Sequence, residues 1–83
     1  MNFTPIILSY ISTWGIQHSL AVDVRLEFIG GSMRLIFSFT DVAMAKVWNK
    51  AYEPEFLREC NISLFNLVKK TLEEAERYFK EVI

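Results

Sequence analysis

The side chains with the chemistry for catalysis are few and far apart. His18 is the sole histidine and Cys60 the sole cysteine, and the hairpin and a helix separate them along the chain. A nucleophilic site needs a nucleophile, a base and a group that orients the base, brought together; nothing local supplies that trio here. Structural metal sites take three or four ligands at workable spacing. One histidine, one cysteine and carboxylates on solvated helix faces do not meet that requirement, so neither a metal nor another cofactor is expected. The pair Gly30-Gly31 is no phosphate loop, because it joins two strands and does not open a helix. His18 reads as a connection residue, and Cys60 as a small apolar side chain at a helix end.

One set of residues has the types needed to hold nucleic acid. Lys46, Asn49 and Lys50 lie near Trp48 and Tyr52, and basic groups beside aromatics can grip a single strand. Asp41, Glu53, Glu55 and Glu59 surround them, and nine basic against ten acidic side chains leave a net charge of −1. That balance gives little attraction for phosphate. Nucleic-acid association through Lys46, Lys50 and Trp48 is therefore the second reading.

The element that must position everything else is the stretch 20–40. Gly30-Gly31 offers the positive φ angles that a two-residue hairpin turn requires. With the turn closed between Ile29 and Ser32, Phe28 faces Met33, Leu26 faces Leu35, Val24 faces Phe37 and Val22 faces Phe39. These eight apolar residues share one side. The other side pairs Glu27 with Arg34, Arg25 with Ile36, Asp23 with Ser38 and Ala21 with Thr40, with Glu27–Arg34 as an expected cross-strand ion pair. A one-residue slip would destroy this sorting. The strands are expected at about 20–29 and 33–40.

Around the hairpin the pattern reads as helices. Thr4-Pro5 is a capping hydroxyl followed by proline at the first helical position. Phe3, Ile6, Ile7, Tyr10, Ile11 and Trp14 then follow helical spacing, with Gly15 placed to stop the helix. Alternation at Ile6, Leu8, Tyr10 and Trp14 is the rival, strand reading. Thr40-Asp41 offers a second cap before a stripe of Met44, Val47, Trp48, Ala51 and Tyr52, ended at Glu53-Pro54. A short helix is expected over 55–60. A long C-terminal helix over about 62–82 has Leu64, Leu67, Val68, Leu72, Ala75, Tyr78, Phe79 and Val82 on one face, with Glu73–Arg77 and Glu76–Lys80 as i, i+4 pairs on the other.

The expected fold is thus a single α+β domain over 1–83, in the order α-β-β-α-α(short)-α, with helices over the apolar side of the hairpin. Eighty-three residues leave room for one core only. An apolar fraction of 52% is high for so small a domain, and a second chain covering some of it is a natural outcome. Residues 1–22 carry no charged side chain, yet Asn2, Pro5, Gly15, Gln17 and His18 interrupt them, and no basic residue follows Met1. Buried or partner-covered structure is expected there, not a membrane span or a signal peptide. The lone cysteine accords with a reducing, cytoplasmic setting.

Function is then expected to lie in a surface: a non-enzymatic protein-binding module, whether inhibitor, adaptor or small regulatory subunit, a class that includes immunity-type and phage anti-defence proteins. It would act by occlusion or bridging, with another protein chain, itself or a target, as partner. The 33–40 strand carries only Arg34 as a charged guard, so it reads as the less protected edge. The expected contact residues are Arg34, Ile36 and Ser38 on that strand, with Tyr10, Trp14 and Trp48 as aromatic anchors.

Overall fold

In the computed structural model, residues 4–53 and 63–81 are described. Thr4 opens the first helix as the sequence implies: its side-chain oxygen accepts a hydrogen bond from Ile7 N at 3.2 Å, with proline in the first turn. Helix α1 (Pro5–His18) runs past Gly15 and stops at Ser19, which adopts the left-handed conformation with φ 55°. Gly15 has a different task. A Cβ there would stand 2.7 Å from the Leu20 carbonyl oxygen, so glycine is what lets α1 lie against the strand that follows.

That strand, β1 (Leu20–Ile29), turns back into β2 (Ser32–Asp41). Gly30 and Gly31 have φ of 58° and 83°, the two positive values of a type I′ turn. The register is the one alternation implies, from Phe28 opposite Met33 to Val22 opposite Phe39 on one side and from Glu27 opposite Arg34 to Ala21 opposite Thr40 on the other. The Glu27–Arg34 ion pair does not form. Glu27 instead takes Arg25 from its own strand, at 2.9 Å, and Arg34 takes Glu53 from the next one, at 2.6 Å.

The expected second helix is replaced by a third strand, β3 (Val47–Tyr52), antiparallel to β2. The Thr40-Asp41 cap signal is real but is spent on one turn. Asp41 Oδ1 accepts from Ala43 N and Met44 N, both at 2.9 Å, as a capping carboxylate does. Ala45, with φ 54°, then reverses the chain, and Asp41 N donates to Lys46 O at 2.8 Å. Trp48, Lys50 and Tyr52 stand opposite Phe39, Phe37 and Leu35, so the period is two and not 3.6. The open edge of β2 decided the outcome, since its backbone groups and its aromatic row are both satisfied by a strand. β2 is therefore the central strand of a sheet in the order β1-β2-β3, and the expectation of a free edge at 33–40 is overturned.

The expected short helix at 55–60, Cys60 included, lies outside the described residues. The C-terminal helix is α2 (Leu64–Glu81), with Ser63 as its cap: Ser63 Oγ accepts from Asn66 N at 3.2 Å. The protein is thus a small α+β fold of order α-β-β-β-α among the described residues. Both helices contribute to a single core against one side of the sheet, where Leu35, Phe37 and Phe39 of β2 meet Ile7, Ile11 and Trp14 of α1 and Leu67, Val68, Leu72, Ala75 and Phe79 of α2.

One polar group is buried in that core. The Thr71 hydroxyl donates to Leu67 O at 2.8 Å and is hydrogen-bonded to the Tyr52 hydroxyl at 3.0 Å, tying α2 to β3. Burial pushes the Tyr52 phenol above its ordinary value, with the Thr71 bond opposing and the Glu74 carboxylate adding to the rise. Two stability outcomes follow. Gly15→Ala gains about 1 kcal/mol of helix propensity but drives a methyl into a backbone carbonyl; the net loss should be about 2 kcal/mol, seen as a lower urea midpoint. Thr71→Val should lose about 1–2 kcal/mol, and Thr71→Val with Tyr52→Phe less than the sum of the two single changes in a double-mutant cycle.

Candidate functional site

The residues expected to form a contact surface are not gathered together. Trp14 is only 8% exposed. It stacks on His18 with ring centres 4.4 Å apart and meets the edge of Phe39, so it belongs to the core. Trp48 is half-buried between Phe39 and Tyr78. Tyr10 does stay accessible, at 37%, with its ring edge-on to Phe65. Arg34, Ile36 and Ser38 are half-buried on the side of the sheet opposite Leu35, Phe37 and Phe39, and their strand is paired along both edges.

The change from helix to strand separates one member of the nucleic-acid set from the rest. Asn49 and Lys50 are neighbours on β3 and so point to opposite faces. Lys50 lies on the core side, with Nζ 5.7 Å from the centre of the Tyr52 ring. Lys46 stands just before the strand, its carbonyl held by Asp41. Lys46, Trp48 and Lys50 thus share one parity, and Asn49 alone of the set turns to the other face.

What the fold builds instead is a cleft of about 490 Å³ between α1 and β1. Leu8, Ser12 and Ile16 line it from successive turns of α1, and Leu20, Val22 and Val24 from β1. Leu8 is 48% and Ile16 79% exposed, and Val22 and Val24 are half-buried. Ala21 and Asp23, whose side chains take the other face of β1, border the cleft along the strand edge.

β1 forms one side of the cleft and is an outer strand of the sheet. The type I′ turn makes Ile29 and Ser32 a hydrogen-bonded pair, so the odd-numbered residues of β1 bond to β2. The backbone N–H and C=O groups of Val22, Val24, Leu26 and Phe28 consequently face the open edge, whereas the Leu20 carbonyl lies against Gly15 of α1. Sequence reasoning placed the free edge on the wrong strand, having assigned residues 47–52 to a helix. The signal that could have found β3 was the alternation of Trp48, Lys50 and Tyr52.

A second cluster lies at the other end of α1, around a hollow of about 150 Å³ that His18, Asp41, Glu76 and Lys80 help to line. His18 Nδ1 is 2.8 Å from the Trp14 carbonyl oxygen, which can only accept, so Nδ1 carries hydrogen. Nε2 is 3.4 Å from Glu76 Oε2, and Glu76 Oε1 holds Lys80 at 2.8 Å. Among the described residues, no three histidine, cysteine or acidic side chains gather in a way that could hold a metal ion. No described helix is long and apolar enough to cross a membrane. Comparison of the chain with protein-family models, with curated proteins and with solved structures finds no match.

The Lys80 hydrogen bond, with the Lys80 and His18 charges, holds the Glu76 carboxyl below the ordinary glutamate range against a smaller opposing effect of burial. A depressed carboxylate stabilises the fold above its unfolded value and loses that contribution as pH falls through its folded value. The melting temperature of the native chain should accordingly exceed that of Glu76→Gln at pH 7, with the difference narrowing as the pH falls below the ordinary glutamate range toward about pH 3. A gap that stays constant between those two pH values would assign Glu76 no ionic role.

Proposed function

We propose that this protein is a non-enzymatic protein-interaction module that works through the β1 edge and the α1–β1 cleft. The observation that carries this reading is the coincidence, along one border, of a ten-residue strand whose outer edge meets no other described strand with exposed Leu8 and Ile16. An extended segment added to β1 gains main-chain hydrogen bonds, and alternate side chains of that segment enter the cleft beside the helix. The apolar lining favours binding through buried surface, which is how an inhibitor, an adaptor or a small regulatory subunit occludes or bridges. A cytoplasmic setting suits the single cysteine.

Leu8 and Ile16 are the residues to change, because they are exposed and their replacement leaves the core intact. With the chain as bait in native extract, Leu8→Glu with Ile16→Glu should lose proteins that the unaltered bait retains, while far-ultraviolet circular dichroism stays the same. Identical retained sets from two equally folded baits would overturn the reading.

A further inference from the structure

The occupant of the β1 edge can be narrowed by its charges, on the premise that the cleft is a protein-binding site. Asp23, Arg25 and Glu27 alternate in sign along the face of β1 turned away from the helices. Charges on an edge strand usually repel an incoming strand. Here the order is complementary to itself when the strand is reversed.

An antiparallel partner related by a twofold axis must place some residue of β1 opposite its own copy. Centred on Asp23 or on Arg25, the pairing sets identical charges face to face. Centred on Val24, it sets Asp23 opposite Arg25 of the second copy and, by symmetry, Arg25 opposite Asp23. That register also pairs Val22 with Leu26 and Val24 with itself; Phe28 falls opposite Leu20, whose carbonyl already lies against Gly15 of α1. A register centred on Leu26 places Arg25 opposite Glu27, which it already holds within its own strand, and leaves Asp23 without a cation and Val22 unpaired. Asp23 has no cation within salt-bridge distance among the described residues; Arg25 is more than half exposed and holds Glu27 at 2.9 Å by Nε, so its guanidinium would have to serve Glu27 and the second copy's Asp23 together.

We infer that two copies of this chain join β1 to β1 about Val24, making a six-stranded antiparallel sheet. The helices of both copies then lie on one side of the sheet, since a twofold axis perpendicular to it keeps them there. Val22, Val24 and Leu26 of one copy enter the cleft of the other, beneath Leu8 and Ile16. Three central residue pairs supply about six backbone hydrogen bonds. Strand addition by a second copy covers in one step the half-buried valines, the exposed flank of α1 and the open edge.

Sedimentation equilibrium on the full chain tests this, with an expected mass roughly twice 9.7 kDa at tens of micromolar. Asp23→Arg and Arg25→Asp should each weaken the dimer by about tenfold, because each reversal puts like charges together twice. The double variant Asp23→Arg with Arg25→Asp should recover to within about threefold of the parent, which no merely structural loss could do. Val24→Pro should be a folded monomer, since the N–H it removes faces the open edge and the ladder to β2 is untouched.

A mass of one chain for the unaltered protein overturns the dimer. In that event the cleft reading stands or falls separately, on whether Leu8→Glu with Ile16→Glu changes what the bait retains. A dimer indifferent to Asp23→Arg, and restored after Arg25→Glu by Glu27→Arg, overturns the Val24 register.

Discussion

Leu35, Phe37 and Phe39 have almost no contact with solvent, and the rest of the molecule is arranged to keep them so. They stand on the central strand, two residues apart, and present one continuous apolar row. Burying such a row contributes about 2–3 kcal/mol for each side chain. It needs neighbours on both flanks and a cover. β1 supplies Val22, Val24 and Leu26 on one flank, β3 supplies Trp48 and Tyr52 on the other, and the two helices form the cover. The requirement explains why a segment with helical spacing became a strand: a helix at 41–52 would have left one side of the row unpaired and its backbone groups unsatisfied.

The same arrangement concentrates unmet valence at one border. Placing β2 in the middle satisfies its backbone on both sides and leaves β1 as the long outer strand. α1 lies beside that strand, and Gly15 permits the close approach to the Leu20 carbonyl. The flank of α1 that carries Leu8 and Ile16 then borders a strand edge that has no strand partner among the described residues. A polar group is cheap to leave at a wet edge, and an apolar side chain is tolerable alone; a continuous line of both is what strand addition uses. The elements that stabilise the monomer therefore define where another strand fits.

His18 shows how one residue can join elements that are far apart in the chain. Its ring stacks on Trp14, its Nδ1 bonds the Trp14 carbonyl, and its Nε2 faces Glu76. It thereby links the end of α1 to α2, in the corner where Ser19 reverses the chain and its carbonyl accepts from Val42 N. From the sequence it was legible only as a connection residue, because its acceptors come from a helical turn before it and from an element 58 positions later.

Local signals were enough wherever the relevant partners lie within a few residues. Thr4-Pro5 starts a helix, Gly30-Gly31 closes a hairpin in the expected register, and the apolar stripe of 64–79 makes a helix over the sheet, all from short-range sterics and side-chain period. Tertiary structure decided what depends on distant groups. Between Asp41 and Tyr52 both periods are present in the residues, and the unpaired edge of β2 selected the strand. Gly15 has the same composition-level meaning as a helix stop, and only the passage of Leu20 beside it makes it a point of contact. The free edge, and with it the candidate binding surface, follows from which strand ends up outermost; that is a property of the assembled sheet and is written in no single stretch of chain.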